Sequence, residues 1–213
     1  MFGFELSTAC AGGDWPSVIG QIQSGSINVD ALINEASRQT ALMIACSRDD
    51  PESTRAVDSL IRLGADINKT NLYGANALSL AARSNTDGDK VRILLDHGAN
   101  TSPSCYRPAI VIAAEYNNIQ AVIAMLEYGI DCDTADHMGK TPLDFACRGG
   151  HTEVCRILLD AGANPHIKNV NGTTPYDTAM YSGNIHIDKT GVRQLMTDAI
   201  EMPMACPPPE ASC

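Results

Sequence analysis

From residue 40 onward, apolar residues fall into two alternating kinds of segment. The first is short and opens on Thr, Asn or Pro: Thr40-Ala41-Leu42-Met43-Ile44-Ala45-Cys46, then Asn76 to Ala82, Pro108 to Ala114, Thr141 to Cys147 and Thr174 to Met180. The second carries apolar side chains at helical spacing, as in Val122, Met125 and Leu126 or Val154, Ile157, Leu158 and Leu159. It closes on a glycine phrase: Gly64-Ala65-Asp66, Gly98-Ala99-Asn100, Gly129-Ile130-Asp131, Gly162-Ala163-Asn164. Both kinds read as helices. The short segments start at 40, 76, 108, 141 and 174, in steps of 36, 32, 33 and 33 residues. A period near ~33 predicts a stacked array, in which each unit buries its apolar face only against its neighbours.

The polar positions punctuate this pattern. Thr141-Pro142 and Thr174-Pro175 suit an N-cap followed by Pro at the first helical position, where the missing N–H costs nothing. Paired small residues (Ala45/Cys46, Ala81/Ala82, Ala113/Ala114, Ala146/Cys147) would let first helices approach closely. The closing glycines suit the left-handed position after a helix, and Tyr73-Gly74 and Asn171-Gly172 mark turns between units.

The unit His137 to Asn169 carries Gly139-Lys140-Thr141-Pro142-Leu143, the turn Gly150-His151, and an ending from Leu158 to Asn164. With these motifs in phase, the chain closely resembles the ankyrin repeat family over about residues 4 to 200. The resemblance implies an all-α fold, an ankyrin-repeat solenoid of stacked helix–turn–helix units with β-hairpin-like fingers. One domain over residues 1–202 is expected, with units of approximately 1–34, 35–70, 71–102, 103–135, 136–168 and 169–202. Ala9 to Asp14 and Gly25 outline a worn first unit, and the last unit lacks its closing phrase, so both read as caps. The His common after Thr-Pro-Leu is absent, Met43, Ser79, Val111, Asp144 and Asp177 standing there, so those turns need other support. Insertions near Ser47–Thr54 and Ser84–Asp89 are expected on loops.

Charge and cysteine content narrow the function. A net charge of −10 argues against generic nucleic-acid or anionic-membrane binding. The start Met1-Phe2-Gly3-Phe4-Glu5 shows no signal peptide, and Ala109 to Ala114 is too short to span a bilayer, so a cytoplasmic or nuclear home is expected, delivery into a host cell leaving the same signature. Cys10, Cys46 and Cys147 fill small-residue positions and Cys155 an apolar one, which reads as packing rather than a disulfide framework. Cys147, His151 and Cys155 have a metal-like spacing, but the intervening turn breaks the shared helical face. Asp87-Gly88-Asp89 lacks the remaining ligands of a calcium loop. No phosphate loop or nucleophile elbow occurs, so no enzyme, cofactor or metal site is expected. Residues 203–213 are Pro-rich and aperiodic and read as a disordered tail. The stretch Leu60 to Asn68 is similar to the pattern at which ankyrin-repeat asparagines are hydroxylated in animals; the plainer expectation is that the Asn68 amide bonds finger backbone.

The resemblance places partner contacts on the fingers and on the exposed side of the first helix. By register those positions include Arg48, Leu72, Tyr73, Arg83, Arg107, Tyr116, His137, Met138, Lys140, Arg148 and Tyr181. Bases and tyrosines gather there, with Glu115 the acid among them, whereas Glu52, Asp58, Asp89, Asp96, Glu127, Glu153 and Asp160 fall on the second helices and outer loops. Arg and Tyr dominate interface hot spots. The expected function is a monomeric, non-enzymatic protein–protein interaction module, an adaptor, scaffold or regulator, whose concave face holds an acidic segment of a protein partner. The alternatives are an effector delivered by a bacterium into a host cell and a structural fragment of a larger assembly.

Overall fold

A computed structural model describes residues 2–84, 88–102, 107–181 and 189–201. Among them the chain forms α1 (Phe2–Gly12), α2 (Trp15–Gln23), β1 (Leu32–Asn34), β2 (Gln39–Thr40), α3 (Ala41–Ser47), α4 (Pro51–Arg62), α5 (Ala77–Arg83), α6 (Asp89–Asp96), α7 (Ala109–Glu115), α8 (Ile119–Glu127), α9 (Pro142–Gly149), α10 (Thr152–Asp160), α11 (Pro175–Tyr181) and α12 (Thr190–Glu201). Odd-numbered helices pack on one another in sequence from α1 to α11 and form an inner layer. Even-numbered helices stack behind them from α2 to α12, and each odd helix also packs on the even helix that follows it. This is the mostly helical solenoid that the periodicity implies. The Asp87 position, Cys105 and the Pro-rich tail lie outside the described residues.

The helix starts follow the predicted chemistry. The Thr40 hydroxyl accepts the Met43 N–H at 3.4 Å and Asn76 Oδ1 accepts that of Ser79 at 2.9 Å. Thr141 and Asp144 form a reciprocal capping box, and Thr174 with Asp177 repeats it. Asp144 and Asp177, standing at the position of the missing histidine, close these two boxes. Pro108 carries no side-chain cap, as its lack of an oxygen requires. The second helices end where Gly64, Gly98, Gly129 and Gly162 take positive φ, which L-residues with a Cβ adopt only under strain.

Pairs of neighbours are stitched by side chains bonding backbone. Asp30 Oδ1 accepts the Asp66 N–H at 3.0 Å, Asn68 Oδ1 that of Asn100 at 2.7 Å, and Asp133 Oδ1 that of Asn164 at 3.0 Å. Asn68 therefore holds the backbone of the neighbouring pair. The fingers are built on tight turns in which one side-chain oxygen takes two N–H groups: Asn71 those of Tyr73 and Ala75, Asp136 those of Met138 and Lys140, Asn169 those of Asn171 and Thr173. Adjacent fingers join through Leu72 N–H to Ser37 O and Val170 N–H to Met138 O, both 3.0 Å.

A second set of contacts finishes the first helices. Their last carbonyls have no intrahelical partner, and side chains of the following pair donate to them. Arg48, just beyond α3, donates to Ala11 O at 2.5 Å. Lys90 of α6 is fully buried and donates to Ala45 O at 3.1 Å, to Arg48 O, and to Ser53 Oγ at 2.7 Å. Asn118 Nδ2 donates to Ala82 O at 3.2 Å and to Ser84 O, while its Oδ1 caps α8. His151 Nε2 lies 3.1 Å from Glu115 O. Cations at these sites also face the negative end of the helix dipole.

Candidate functional site

The inner face carries a charged centre built from two successive first helices, α7 and α9, and the fingers before them. Glu115 ends α7 and is only 23% exposed. It accepts from Arg107, at the base of the preceding finger, and from Arg148 of α9 at 3.0 Å. Below them lies Phe145 of α9, 5% exposed. Arg107 and Arg148 stand over its ring at 5.1 and 4.9 Å from the centroid, and Lys140 at 6.0 Å. A ring face is negative and attracts cations, so one phenyl ring gathers three positive groups. Beside it a cleft of about 190 Å³ is walled by Lys140, Arg148, Asn171 and Thr173, with Asp144 and Thr178 at its base. Asp144 bonds the Thr141 N–H at 3.3 Å and the Thr178 hydroxyl at 3.1 Å. Burial pushes its carboxyl above the ordinary range, and these hydrogen bonds oppose the shift without cancelling it.

A second cation stands two helices away. Arg83, the last residue of α5, places its guanidinium 5.0 Å from the centre of the Tyr116 ring. Neither Arg83 nor Lys140 forms an ion pair with a carboxylate among the described residues. The finger residues Leu72 (60%), Tyr73 (69%) and Met138 (37%) and Tyr181 (79%) at the end of α11 are exposed, as is His137.

The anticipated residues thus divide. Arg83, Arg107, Tyr116, Lys140 and Arg148 converge on two aromatic–cation sites, whereas Leu72, Tyr73, His137, Met138 and Tyr181 are exposed on the fingers and at the end of α11. Arg48 does not join either site. It pairs with Asp50 at 2.7 Å, and Asp50 is held below its ordinary pKa because the bonds from Arg48 and the Ser53 N–H outweigh its burial. The reason is one residue of register. Arg83, Glu115 and Arg148 directly follow the small pair, whereas Arg48 is one step further, about 100° around the helix, and lands on the capping position.

Phe145 and the hub role of Glu115 were not anticipated. The signal for Phe145 was its register: Ile44, Leu80, Ile112 and Thr178 occupy the equivalent position in the other segments, and an aromatic stands there once. The outer layer carries the acids as expected, and many meet arginines of the second helices: Asp58 with Arg62, Glu127 with Arg92, Glu153 and Asp160 with Arg156.

The turn puts Cys147 on α9 and Cys155 on α10, so they share no helical face, yet the two side chains meet across the helix pair. Their sulfurs lie 3.8 Å apart because the helices fold back on each other, while His151 turns toward Glu115. Burial pushes the Cys10 thiol to about 11 and the Cys46 thiol to about 12; the Cys147 thiol is also raised, first by its contact with Cys155 and then by burial. Buried protonated thiols are inert packing groups. Among the described residues Asp131, Cys132 and Asp133 lie close enough together to suggest a metal site. Their carboxylates already accept the N–H groups of Asp133 and Asn164 in a turn. No described helix is long and apolar enough to cross a membrane.

The family model for ankyrin repeats (three copies) matches residues 6–105 and 101–169. The tyrosine-protein kinase HTK16 of Hydra vulgaris is 27% identical over 158 residues, which is 70% of this chain and 20% of that protein. The B-cell lymphoma 3 protein homolog of Mus musculus is 28% identical over 141 residues, covering 64% of this chain and 31% of the relative. The human SH3 and multiple ankyrin repeat domains protein 2 is 26% identical over 187 residues, 85% of this chain and 10% of the relative. The chain thus spans less than a third of each of these proteins. Ankyrin repeats in general are protein-interaction modules without catalysis of their own. The periodic caps, the stacked helix pairs, the hydrogen-bonded fingers and the match across most of the length together make this chain a member of the ankyrin repeat family.

Proposed function

We propose that this protein is a non-enzymatic adaptor or regulator, cytoplasmic or nuclear, that holds an acidic segment of a partner protein on the concave face formed by its fingers and first helices. One observation carries the reading. Arg83 and Lys140 are positioned by aromatic faces and form no salt bridge among the described residues, although Lys140 also feels the Asp144 carboxylate, in a chain of net charge −10. Arg107 and Arg148 share the single carboxylate of Glu115, so the hub they form keeps one net positive charge. Exposed Tyr73, Tyr116 and Met138 are the residue types that anchor interfaces.

The test is capture of partners from lysate by the wild type and by the double variant Arg83→Glu/Lys140→Glu. Both residues lie outside the ion-paired hub, so the melting temperature should move by no more than ~0.5 kcal/mol of stability would cause. Loss of captured acidic proteins, with retention by a variant reversed at Arg62 on the outer layer, is the expected result. Equal capture by the double variant would overturn the proposal. Reversal of Arg148 is a poorer test, because it would set two glutamates against each other at Glu115.

A further inference from the structure

Two thiols meet inside the C-terminal half of the array. Cys147 on α9 and Cys155 on α10 are both fully buried, and their sulfurs lie 3.8 Å apart. Among the described residues no other two thiols are in contact. A disulfide bond is about 2.0 Å long, so side-chain rotation and a small approach of the helices would close the gap. A buried cation stands at the same place. Lys189, just before α12, acts on both sulfurs. Its charge opposes the rise of the Cys147 thiol that contact with Cys155 and burial cause. A cation beside a thiol favours the thiolate, which is the reactive form. The helix that follows Lys189 also covers the pair from outside, since α12 packs on α10. Gly191 permits that packing: a Cβ there would meet the Thr152 side chain at 2.9 Å. While α12 is seated, both thiols only pack; its local opening would admit a small oxidant.

We propose that Cys147 and Cys155 form a redox clasp, in which hydrogen peroxide admitted beside α12 converts the two thiols into a disulfide that ties α9 to α10. One sulfur, as its thiolate, attacks a peroxide oxygen. An S–O bond forms, the O–O bond breaks, and the departing hydroxide takes up the proton that the thiol released and leaves as water. The second sulfur attacks the sulfenic acid so formed. The S–S bond forms, the S–O bond breaks, and a second water leaves with the second thiol's proton. Two thiols and one peroxide thus give one disulfide and two waters; the sulfurs lose two electrons and the peroxide gains them. The bridge closes a short loop in the unit that bears Phe145 and Arg148, so oxidation restrains the helix pair that carries the cleft of the inner face. Cys46 supplies an internal comparison. It too is fully buried and feels a cation, Lys90, but it touches no second thiol, so this course is closed to it.

The test uses the full chain with Cys105→Ser, Cys132→Ser, Cys206→Ser and Cys213→Ser, so that Cys10, Cys46, Cys147 and Cys155 remain. The reduced, folded protein is treated with hydrogen peroxide, then unfolded, alkylated and cut with trypsin, which cleaves after Arg148 and Arg156. The expected product is a cross-linked pair of peptides holding Cys147 and Cys155, lighter by two hydrogens and released by a dithiol reductant, with Cys10 and Cys46 alkylated as before. Cys155→Ala, which keeps a small apolar side chain in place, should abolish the cross-link. Gly191→Ala, by lifting α12 from Thr152, should speed its formation. Amide exchange in α9 and α10 should slow by about tenfold or more in the oxidised form. Full alkylation of Cys147 and Cys155 after peroxide, or oxidation of one to sulfinic acid with the other left free, would overturn the pair as a redox site. A rate unchanged in Gly191→Ala would overturn access beside α12, and a cross-link that leaves exchange unaltered would overturn the clasp.

Discussion

The N-terminal end of the inner face and its centre are built from the same phrase and carry similar arginines, yet they use them differently. At the N-terminal end, Arg48 closes α1 through Ala11 O and pairs with Asp50. At the centre, Arg83 and Arg148 stand on aromatic rings and face outward. Position within a repeat therefore fixes the task of a charged side chain to the residue; a step of one residue at the end of a helix moves it from surface to cap. A basic census of the inner face mixes structural cations with available ones, and only the latter can recognise a partner.

Five changes would break or sharpen this comparison. The largest effect is expected at Lys90, a fully buried cation whose three donors are all engaged. Lys90→Ala removes a donor from Ala45 O, Arg48 O and Ser53 Oγ and opens a cavity, and should lower stability by about 3 kcal/mol in denaturant unfolding. A loss below ~1 kcal/mol would show that water replaces the ammonium at little cost. Asn118→Ala removes a cap from both α5 and α8 and should cost about 2 kcal/mol by the same measurement. Arg48→Ala should cost about 1 kcal/mol and leave capture of acidic proteins unchanged, whereas Lys140→Ala should change stability by less than ~0.5 kcal/mol and weaken that capture. The reverse pattern would dissolve the distinction between the two regions.

The smallest effect concerns pH. Because the Asp144 carboxyl is raised in the folded state, folding favours its protonated form. Its stabilising contribution is complete below the ordinary value of 3.8 and is lost as pH rises through the folded value. The stability of Asp144→Asn relative to the wild type should therefore improve from pH 4 toward neutrality. A difference that stays flat across this range would place the carboxyl at its ordinary value.

Most of the fold was legible because its signals are local. Thr40, Asn76, Thr141 and Thr174 cap helices within their own segment, and Gly64, Gly98, Gly129 and Gly162 end them. The site was legible in outline, since register alone placed Arg83, Tyr116 and Lys140 on the inner face. What stayed hidden depends on partners a full repeat or more away. Lys90 and Asn118 bond to carbonyls of earlier helices, and a carbonyl has no residue identity for a pattern to register. The hub was hidden for a related reason: Glu115 reads as a lone acid until α7 is set beside α9.

The closing of first helices by their successors gives the array a polarity. The ends of α1, α3, α5 and α7 are each completed by a side chain supplied from further along the chain: Arg48, Lys90, Asn118 and His151. No bond of this kind among them runs the other way. Fraying that begins at α1 and α2 strips no such cap from α3, so it can stop there. Fraying that enters from the opposite end removes, with each pair lost, the group that finishes the helix before it. Partial opening should thus travel more readily toward the N-terminus than away from it, and hydrogen exchange along the first helices would record that gradient.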